Sequence, residues 1–291
     1  MSSSTIVNSG TKSIGSSFRS PRYDYEYTHD SSVVSETKKA TAVILFVVGT
    51  AMSCNAYSDL ASNCASGQST VFVVVDNSPG NVVKLSGPQT AAAFNNIVAN
   101  ITDRLGDIIT SNPAIFIGGH SAGGYSAIAS MKENGGDLSF TPAGYLGADP
   151  LGPTNFILSR QYGPPIPEMK IEVPTFAIGF TIETCSVPPK QAGLAAYNVT
   201  TDENRVMMQV VNKKNFGNQI THCIFTSNGC PACPSHLAGA WVREEVGKFN
   251  TLFVNSIVKG DKTSKEDYER AVEEEYKSLV NVFFDGETAT V

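Results

Sequence analysis

The sequence predicts an α/β fold, in which a mostly parallel central sheet carries helices on both faces. Short, continuously apolar runs such as TAVILFVVGT (41–50) and TVFVVVD (70–76) are typical of strands that are buried on both sides. Segments with helical periodicity separate these runs, and buried strands that alternate with helices form a parallel sheet covered by helices. The 291 residues, 41% of them hydrophobic, can bury a large core without metals or disulfides.

Six strands and five helices follow from this pattern. The strands are predicted at 41–50, 70–76, 114–119, 143–149, 173–181 and 205–211, and the helices at 57–66, at 90–106, directly after residue 121, at 237–258 and from 263 to about 283. We assign 1–35 to an N-terminal, partly disordered segment and 36–291 to a single domain. Ligands of such sheets bind at the carboxyl ends of the strands, so the residues that follow each strand are the functional candidates.

A serine between glycines follows the third predicted strand and opens a helix. The run Gly119-His120-Ser121-Ala122-Gly123 has the G-x-S-x-G form of a nucleophile elbow, and its strand and helix flanks are the context that such an elbow requires. The sharp turn needs small neighbours, and the N-terminal amides of the helix point at whatever lies over the serine. The competing interpretation is a glycine-rich structural turn. We predict that Ser121 is a nucleophile.

A serine nucleophile needs a base, and the chain has four histidines. His29 precedes the first predicted strand, and the side chain of His120 cannot fold back onto the hydroxyl of its neighbour. His222 and His236 remain, both after the sixth strand, where the base of this kind of fold is found. We favour His222, because His236 begins a predicted helix, where a capping or surface role is ordinary.

The carboxylate that orients the base has two candidates. Asp149 ends the fourth strand, and Glu183 follows the fifth; position at a strand end does not decide between them. The oxyanion is expected to bind the backbone N–H of Ala122 and a second N–H from the loop after the first strand, where Thr50 is the candidate and Ala51 the alternative.

Charge and composition limit the kinds of binding partner and cofactor that we expect. A net charge of −6 and the lack of a Lys/Arg-rich run argue against nucleic acid. The longest apolar run has seven residues, so we expect no transmembrane helix, and no signal-peptide core is visible. The first 30 residues fit a transit peptide or a plain disordered terminus. Six cysteines suit disulfides better than zinc, although a zinc site at the single CxxC, Cys230 to Cys233, is an alternative. We expect no metal and no cofactor.

The chain resembles the α/β-hydrolases, and among them the chlorophyllases, over about residues 40–260. Its GHSAGG is similar to the GHSRGG elbow of that family, and Asp149-Pro150 matches a strand-end DP. FAIGFTIETCSVPP (176–189) is similar to the turn that the family places before a loop with Pro and Cys, and His222 matches its histidine. Ala122 stands where the family has arginine. The antiparallel opening strands of the family are either reduced here or rebuilt from RYDYEYTHD (22–30).

The resemblance implies a triad of Ser121, His222 and Asp149, and it therefore favours Asp149 over Glu183. It implies hydrolysis of the phytyl ester of chlorophyll, a small-molecule ester substrate with a hydrophobic part, contact with pigment-bearing membranes and a plastid or membrane-adjacent setting. The alternatives are a general lipase, esterase or polyester hydrolase, and a catalytically silent binding protein with the same fold.

Overall fold

The computed structural model describes most of the chain. The described residues are 5–13, 22–77, 79, 86–153, 164–180, 192–210, 222–227, 239–260, 266–267, 270–271, 273, 280–284 and 287–289. The statements below concern these residues.

The structure has an α/β fold built on a mostly parallel sheet. The strands run in the spatial order β1-β2-β4-β3-β5-β6-β7-β8-β9-β10. The central strands β4, β3, β5, β6, β7 and β8 are parallel, whereas β1, β2, β9 and β10 join antiparallel at the two sides. The strands are β1 Thr5–Ser13, β2 Arg22–Asp30, β3 Ala40–Val47, β4 Thr70–Asp76, β5 Ile109–His120, β6 Gly144–Ala148, β7 Thr175–Phe180, β8 Arg205–Val210, β9 Val280–Phe284 and β10 Glu287–Ala289.

Helices cover both faces of the sheet. They are α1 Ser58–Ala65, α2 Gly87–Ala99, α3 Ile101–Leu105, α4 Ala122–Ala129, α5 Ala192–Asn198 and α6 Gly239–Val258. Alternate residues of each strand point to opposite faces. Ile44 and Phe46 therefore pack with α1 and α6 in one core, whereas Val43 and Leu45 pack with α2, α4 and α5 in the other.

All six strands predicted between 41 and 211 are present as β3 to β8, and the helix predicted at 237–258 is α6. The prediction that the sheet begins near residue 40 was wrong, because β1 and β2 from the 1–35 segment extend it and place His29 inside β2. The segment RYDYEYTHD is β2 itself, an antiparallel strand, as the resemblance allowed. In β2 the tyrosines at 23, 25 and 27 alternate with charged residues, which is the period of a strand.

The helix predicted to run from 263 to about 283 was also wrong at its end. Residues 280–284 form β9, which pairs antiparallel with β8. The segment VNVFF is rich in β-branched and aromatic residues, and the exposed edge of β8 offers it backbone hydrogen bonds that a helix end does not need. Among the described helices, none is long and apolar enough to cross a bilayer.

Candidate active site

Three neighbouring parallel strands end at one edge of the sheet, and several of the predicted site residues directly follow them. β3, β5 and β6 are adjacent and parallel, and their carboxyl ends lead into the loop from Val48, into Ser121 and into Asp149. The backbone joins these ends directly. The N–H of Ser121 donates to the carbonyl of Ala148 over 3.1 Å, and the N–H of Leu151 donates to the carbonyl of Ser121 over 2.9 Å.

Backbone strain is concentrated at the same three strand ends. Among the described residues, the non-glycine residues with positive φ are Ala51 at 58°, Ser121 at 55° and Asp149 at 47°. Such conformations cost L-residues on the order of 1–3 kcal/mol and cluster at functional sites, where the surrounding structure holds them. Each of these residues follows a different strand, so the strain belongs to this edge rather than to one poorly fitting loop.

The turn at Ser121 has no room for larger neighbours. β5 ends at His120 and α4 begins at Ala122, so Ser121 alone forms the turn between strand and helix. A Cβ at Gly119 would lie 2.7 Å from the carbonyl oxygen of Val47, and one at Gly123 would lie 2.3 Å from that of Val48. These glycines allow the elbow to pack directly on the backbone of β3, which explains the small residues that the motif requires.

A histidine–carboxylate pair lies at this edge. His222 begins a short 3-10 turn, His222–Phe225, and its Nδ1 lies 2.6 Å from Oδ2 of Asp149. Both side chains are buried. A carboxylate accepts the Nδ1–H, so the neutral imidazole keeps an unprotonated Nε2 that can accept a proton. The structure thus gives His222 the tautomer of a general base.

Hydrogen bonds to elements that are distant in sequence anchor the turn that carries His222. Nη1 of Arg243, a buried residue of α6, donates to the carbonyls of Ile224 over 2.9 Å and Thr226 over 3.2 Å. The N–H of Ser227 donates to the carbonyl of Ala56 over 2.7 Å. Cys223 is disulfide-bonded.

The loop after β3 lies against the elbow. A Cβ at Gly49 would approach the Cβ of Ser121 to 3.3 Å, and the N–H of Met52 closes a turn on the carbonyl of Gly49 over 3.2 Å. The N–H of Gly49 is occupied by the hydroxyl of Tyr57, at 2.8 Å. Thr50 and Ala51, whose amides follow it, donate no backbone hydrogen bond to another described residue.

His120 is buried beside the histidine–carboxylate pair. Its ring centroid lies 4.5 Å from that of His222 and 5.2 Å from that of Phe225. Burial, and then the neighbouring His222, lower the pKa of His120 well below its ordinary value, although a hydrogen bond to the carbonyl of His222 opposes this. His120 is therefore neutral near pH 7.

The predicted residues are distributed as follows. The structure brings Asp149 into hydrogen-bond contact with His222, and it sets Ser121 and the candidate donors Ala122 and Thr50 at the same sheet edge. Glu183 and His236, the alternative acid and base, lie outside the described residues. Sequence reasoning missed the contributions of Tyr57 and Arg243, and no motif in the sequence signals either of them.

The described residues were also compared with the expectations for metal binding and disulfides. Over the described part of the chain, no group of three or more His, Cys, Asp or Glu side chains is arranged to hold a metal ion. Cys54 and Cys64 are buried free thiols, so the expectation that the six cysteines pair in disulfides was wrong for these two residues. Burial raises the pKa of the Cys54 thiol to about 12, which keeps it protonated. The cysteines at 185, 230 and 233 lie outside the described residues.

No protein-family model matches the chain, and no curated protein sequence matches it. The functional argument therefore depends on the geometry of this site and on the sequence motifs.

Proposed function

We propose that the protein is a serine hydrolase of the α/β-hydrolase fold that cleaves carboxylic esters. The observation that carries this proposal is a serine held at a φ of 55° at a strand–helix junction, at the same sheet edge as a buried histidine whose Nδ1 bonds a carboxylate over 2.6 Å. Acyl transfer requires a held nucleophile, an oriented base and an acid in that relation. The order of the central strands and the succession Ser121, Asp149, His222 along the chain agree with such a fold.

In the proposed reaction, the Oγ of Ser121 attacks the ester carbonyl carbon and its proton moves to Nε2 of His222. The carbonyl oxygen becomes an oxyanion that accepts hydrogen bonds from the N–H groups of Ala122 and Thr50. The tetrahedral species expels the alcohol, which takes the proton from His222, and leaves an acyl group on Ser121. Water then cleaves this acyl-enzyme by the same steps, while Asp149 keeps His222 in its tautomer and stabilises the imidazolium.

The resemblance of the sequence to chlorophyllases supplies a substrate for the proposal, the phytyl ester of chlorophyll. The reaction would release chlorophyllide and phytol. The elbow is common to many esterases, and Ala122 replaces the arginine of the family, so a general lipase, esterase or polyester hydrolase is the rival within the same chemistry.

The deciding experiment compares the wild-type chain with Ser121→Ala, His222→Ala and Asp149→Asn on a short-chain nitrophenyl ester and on chlorophyll. Each variant should lower kcat by roughly 10⁴-fold or more. A fluorophosphonate probe should label the wild type at Ser121. Ser130→Ala is the matched control, because Ser130 is a buried serine whose hydroxyl bonds the carbonyl of Ala127 at the end of α4; it should keep full activity.

The outcomes separate the candidates. Chlorophyllide formation supports the chlorophyllase-type activity, whereas hydrolysis of the nitrophenyl ester alone supports the general esterase. A folded wild type that neither hydrolyses an ester nor reacts with the probe contradicts the proposal and favours a silent binding protein.

A further inference from the structure

A buried hydrogen-bond chain crosses the site behind Ser121. The N–H of Gly49 lies 2.8 Å from the hydroxyl of Tyr57, this hydroxyl lies 2.8 Å from Nδ1 of His120, and Nε2 of His120 lies 2.8 Å from the carbonyl of His222. Tyr57 and His120 are almost completely buried. The chain therefore connects three segments, namely the loop after β3, the elbow and the turn that carries the base.

The donor and the acceptor of every hydrogen bond in this series follow from the two backbone groups at its ends. The carbonyl of His222 only accepts, so Nε2 of His120 must carry a proton and donate it. A neutral imidazole has one N–H, so Nδ1 of His120 is an acceptor and the Tyr57 hydroxyl donates to it. That leaves the Tyr57 oxygen to accept from the N–H of Gly49. No other arrangement of protons on a neutral His120 satisfies all three contacts.

We propose that His120 and Tyr57 are positioning residues that hold the candidate oxyanion loop and the His222 turn in register around Ser121. The proposal rests on the proposed function, because it gives these residues a role in that reaction. Neither residue is assigned to the reacting atoms. Tyr57 fixes the amide of Gly49, which directly precedes Thr50, whereas His120 fixes the backbone of His222.

The same chain keeps a neutral ring next to the base. His222 must become an imidazolium when it takes the proton of Ser121, and a second cation at a ring distance of 4.5 Å would oppose this. The titratable side chains around His120 are Tyr57, which caps its Nδ1, and His222, with Asp149 behind it. Because Nδ1 is capped and the site is buried, the proton of Ser121 goes to His222 and not to His120.

Tyr57→Phe tests the proposal with the least disturbance. The ring and its edge contact with Phe46 remain, and only the hydroxyl that links Gly49 to His120 is removed. Tyr23→Phe is the matched control, since Tyr23 is an equally buried tyrosine whose hydroxyl bonds Oδ1 of Asn96, between β2 and α2. His120→Gln tests the other link in the chain.

On a nitrophenyl ester, Tyr57→Phe should lower kcat by roughly 10- to 100-fold, with KM changed by less than about 2-fold, because misplacement of catalytic groups slows the chemical step more than binding. Tyr23→Phe should leave both constants unchanged. Equal kinetics for Tyr57→Phe and the wild type, or an equal loss for both variants, would overturn the positioning role.

The proton arrangement is tested without any activity. In protein labelled with ¹⁵N-histidine, and with the signal of His120 assigned by its loss in His120→Gln, we expect the Nε2–H tautomer and no titration between about pH 5.5 and 8. Tyr57→Phe should shift the Nδ1 resonance of His120. An Nδ1–H tautomer, or titration in that range, overturns the hydrogen-bond chain itself.

The two measurements keep this inference distinct from the proposed function. A wild type without esterase activity, but with the expected tautomer, contradicts the reaction and the positioning role while the hydrogen-bond chain stands. An active wild type with an unchanged Tyr57→Phe contradicts only the positioning role.

Discussion

The turn that carries Ser121 and the turn that carries His222 are held by different forces. Around Ser121, backbone packs on backbone, and the glycines leave no space for a methyl group. Around His222, the side chains of Arg243 and His120, which belong to other elements, donate hydrogen bonds to backbone carbonyls of the turn. The first arrangement depends on shape and is intolerant of added atoms. The second depends on single polar groups and can be weakened one bond at a time.

The largest effect is expected from adding one carbon to the elbow. In Gly123→Ala, the new Cβ would lie 2.3 and 2.4 Å from the carbonyl oxygens of Val48 and Val47, which are backbone atoms of β3 and its end. We expect a loss of about 3–5 kcal/mol in the free energy of unfolding, measured by urea denaturation.

Gly67→Ala is the control for that substitution. Gly67 has a φ of 69°, but a Cβ there would meet nothing within 4 Å. The left-handed conformation alone should cost about 1–2 kcal/mol. Equal destabilisation by the two substitutions would mean that crowding at the elbow is not what restricts it.

A smaller effect is expected from cutting the side-chain anchor of the other turn. Arg243→Met removes the donor to the carbonyls of Ile224 and Thr226 but keeps an apolar side chain of similar length. Both bonds come from the same Nη1, and the hydrogen bonding of a charged donor contributes about 1.5–3 kcal/mol, so we expect a loss of about that size in unfolding free energy. The kcat of the proposed ester hydrolysis should fall as well, because the turn positions His222.

Asp59→Asn distinguishes the effect of the ion pair between Arg243 and Asp59 from that of the hydrogen bonds between Arg243 and the turn. Asp59 bonds Nη2 of Arg243 over 3.1 Å, but its side chain is 51% exposed. Solvent reaches the Asp59 carboxylate although Arg243 is buried, so the pair should contribute about 0–1 kcal/mol and this variant should unfold within about 1 kcal/mol of the wild type. If it is as unstable as Arg243→Met, the ion pair and not the carbonyl contacts holds the turn.

The difference between the Ser121 turn and the His222 turn also explains which parts of the structure could be predicted from the sequence. The buried strands β3 to β8 follow from continuous apolar runs, and the elbow follows from a local motif whose packing needs small residues in consecutive positions. Both are short-range patterns. Asp149 was preferred over Glu183 only through a family resemblance, because position after a strand is shared by both.

The contacts that anchor the His222 turn could not be found in this way. The contact of Tyr57 with His120 joins residues 63 positions apart, and that of His120 with His222 joins residues 102 apart. A buried arginine or tyrosine has no local signature, since its partner is chosen by the three-dimensional packing. β9 was misassigned for a related reason, because the free edge of β8 decides its conformation.

The last expected effect is a pH dependence of stability that arises at His120. The pKa of His120 is lowered by burial, so the unfolded chain binds a proton below about pH 6.5 that the folded protein does not. The free energy of unfolding should therefore fall as the pH is lowered below about 6.5, by at most about 1.4 kcal/mol per pH unit for this residue. His120→Gln should reduce that slope.

His29 provides the comparison. Burial also lowers its pKa, but the hydrogen bond to the backbone of Asp30 and the charge of Asp30 act in the opposite direction, so His29→Gln should change the slope less. Protonation of His120 would also put a hydrogen on Nδ1 against the Tyr57 hydroxyl. In acid, hydrogen exchange should therefore quicken at Gly49, whose N–H bonds that hydroxyl, before it does in α4 behind Ser121. Simultaneous loss of protection in both would mean that the loop after β3 and the elbow open as one cooperative structure.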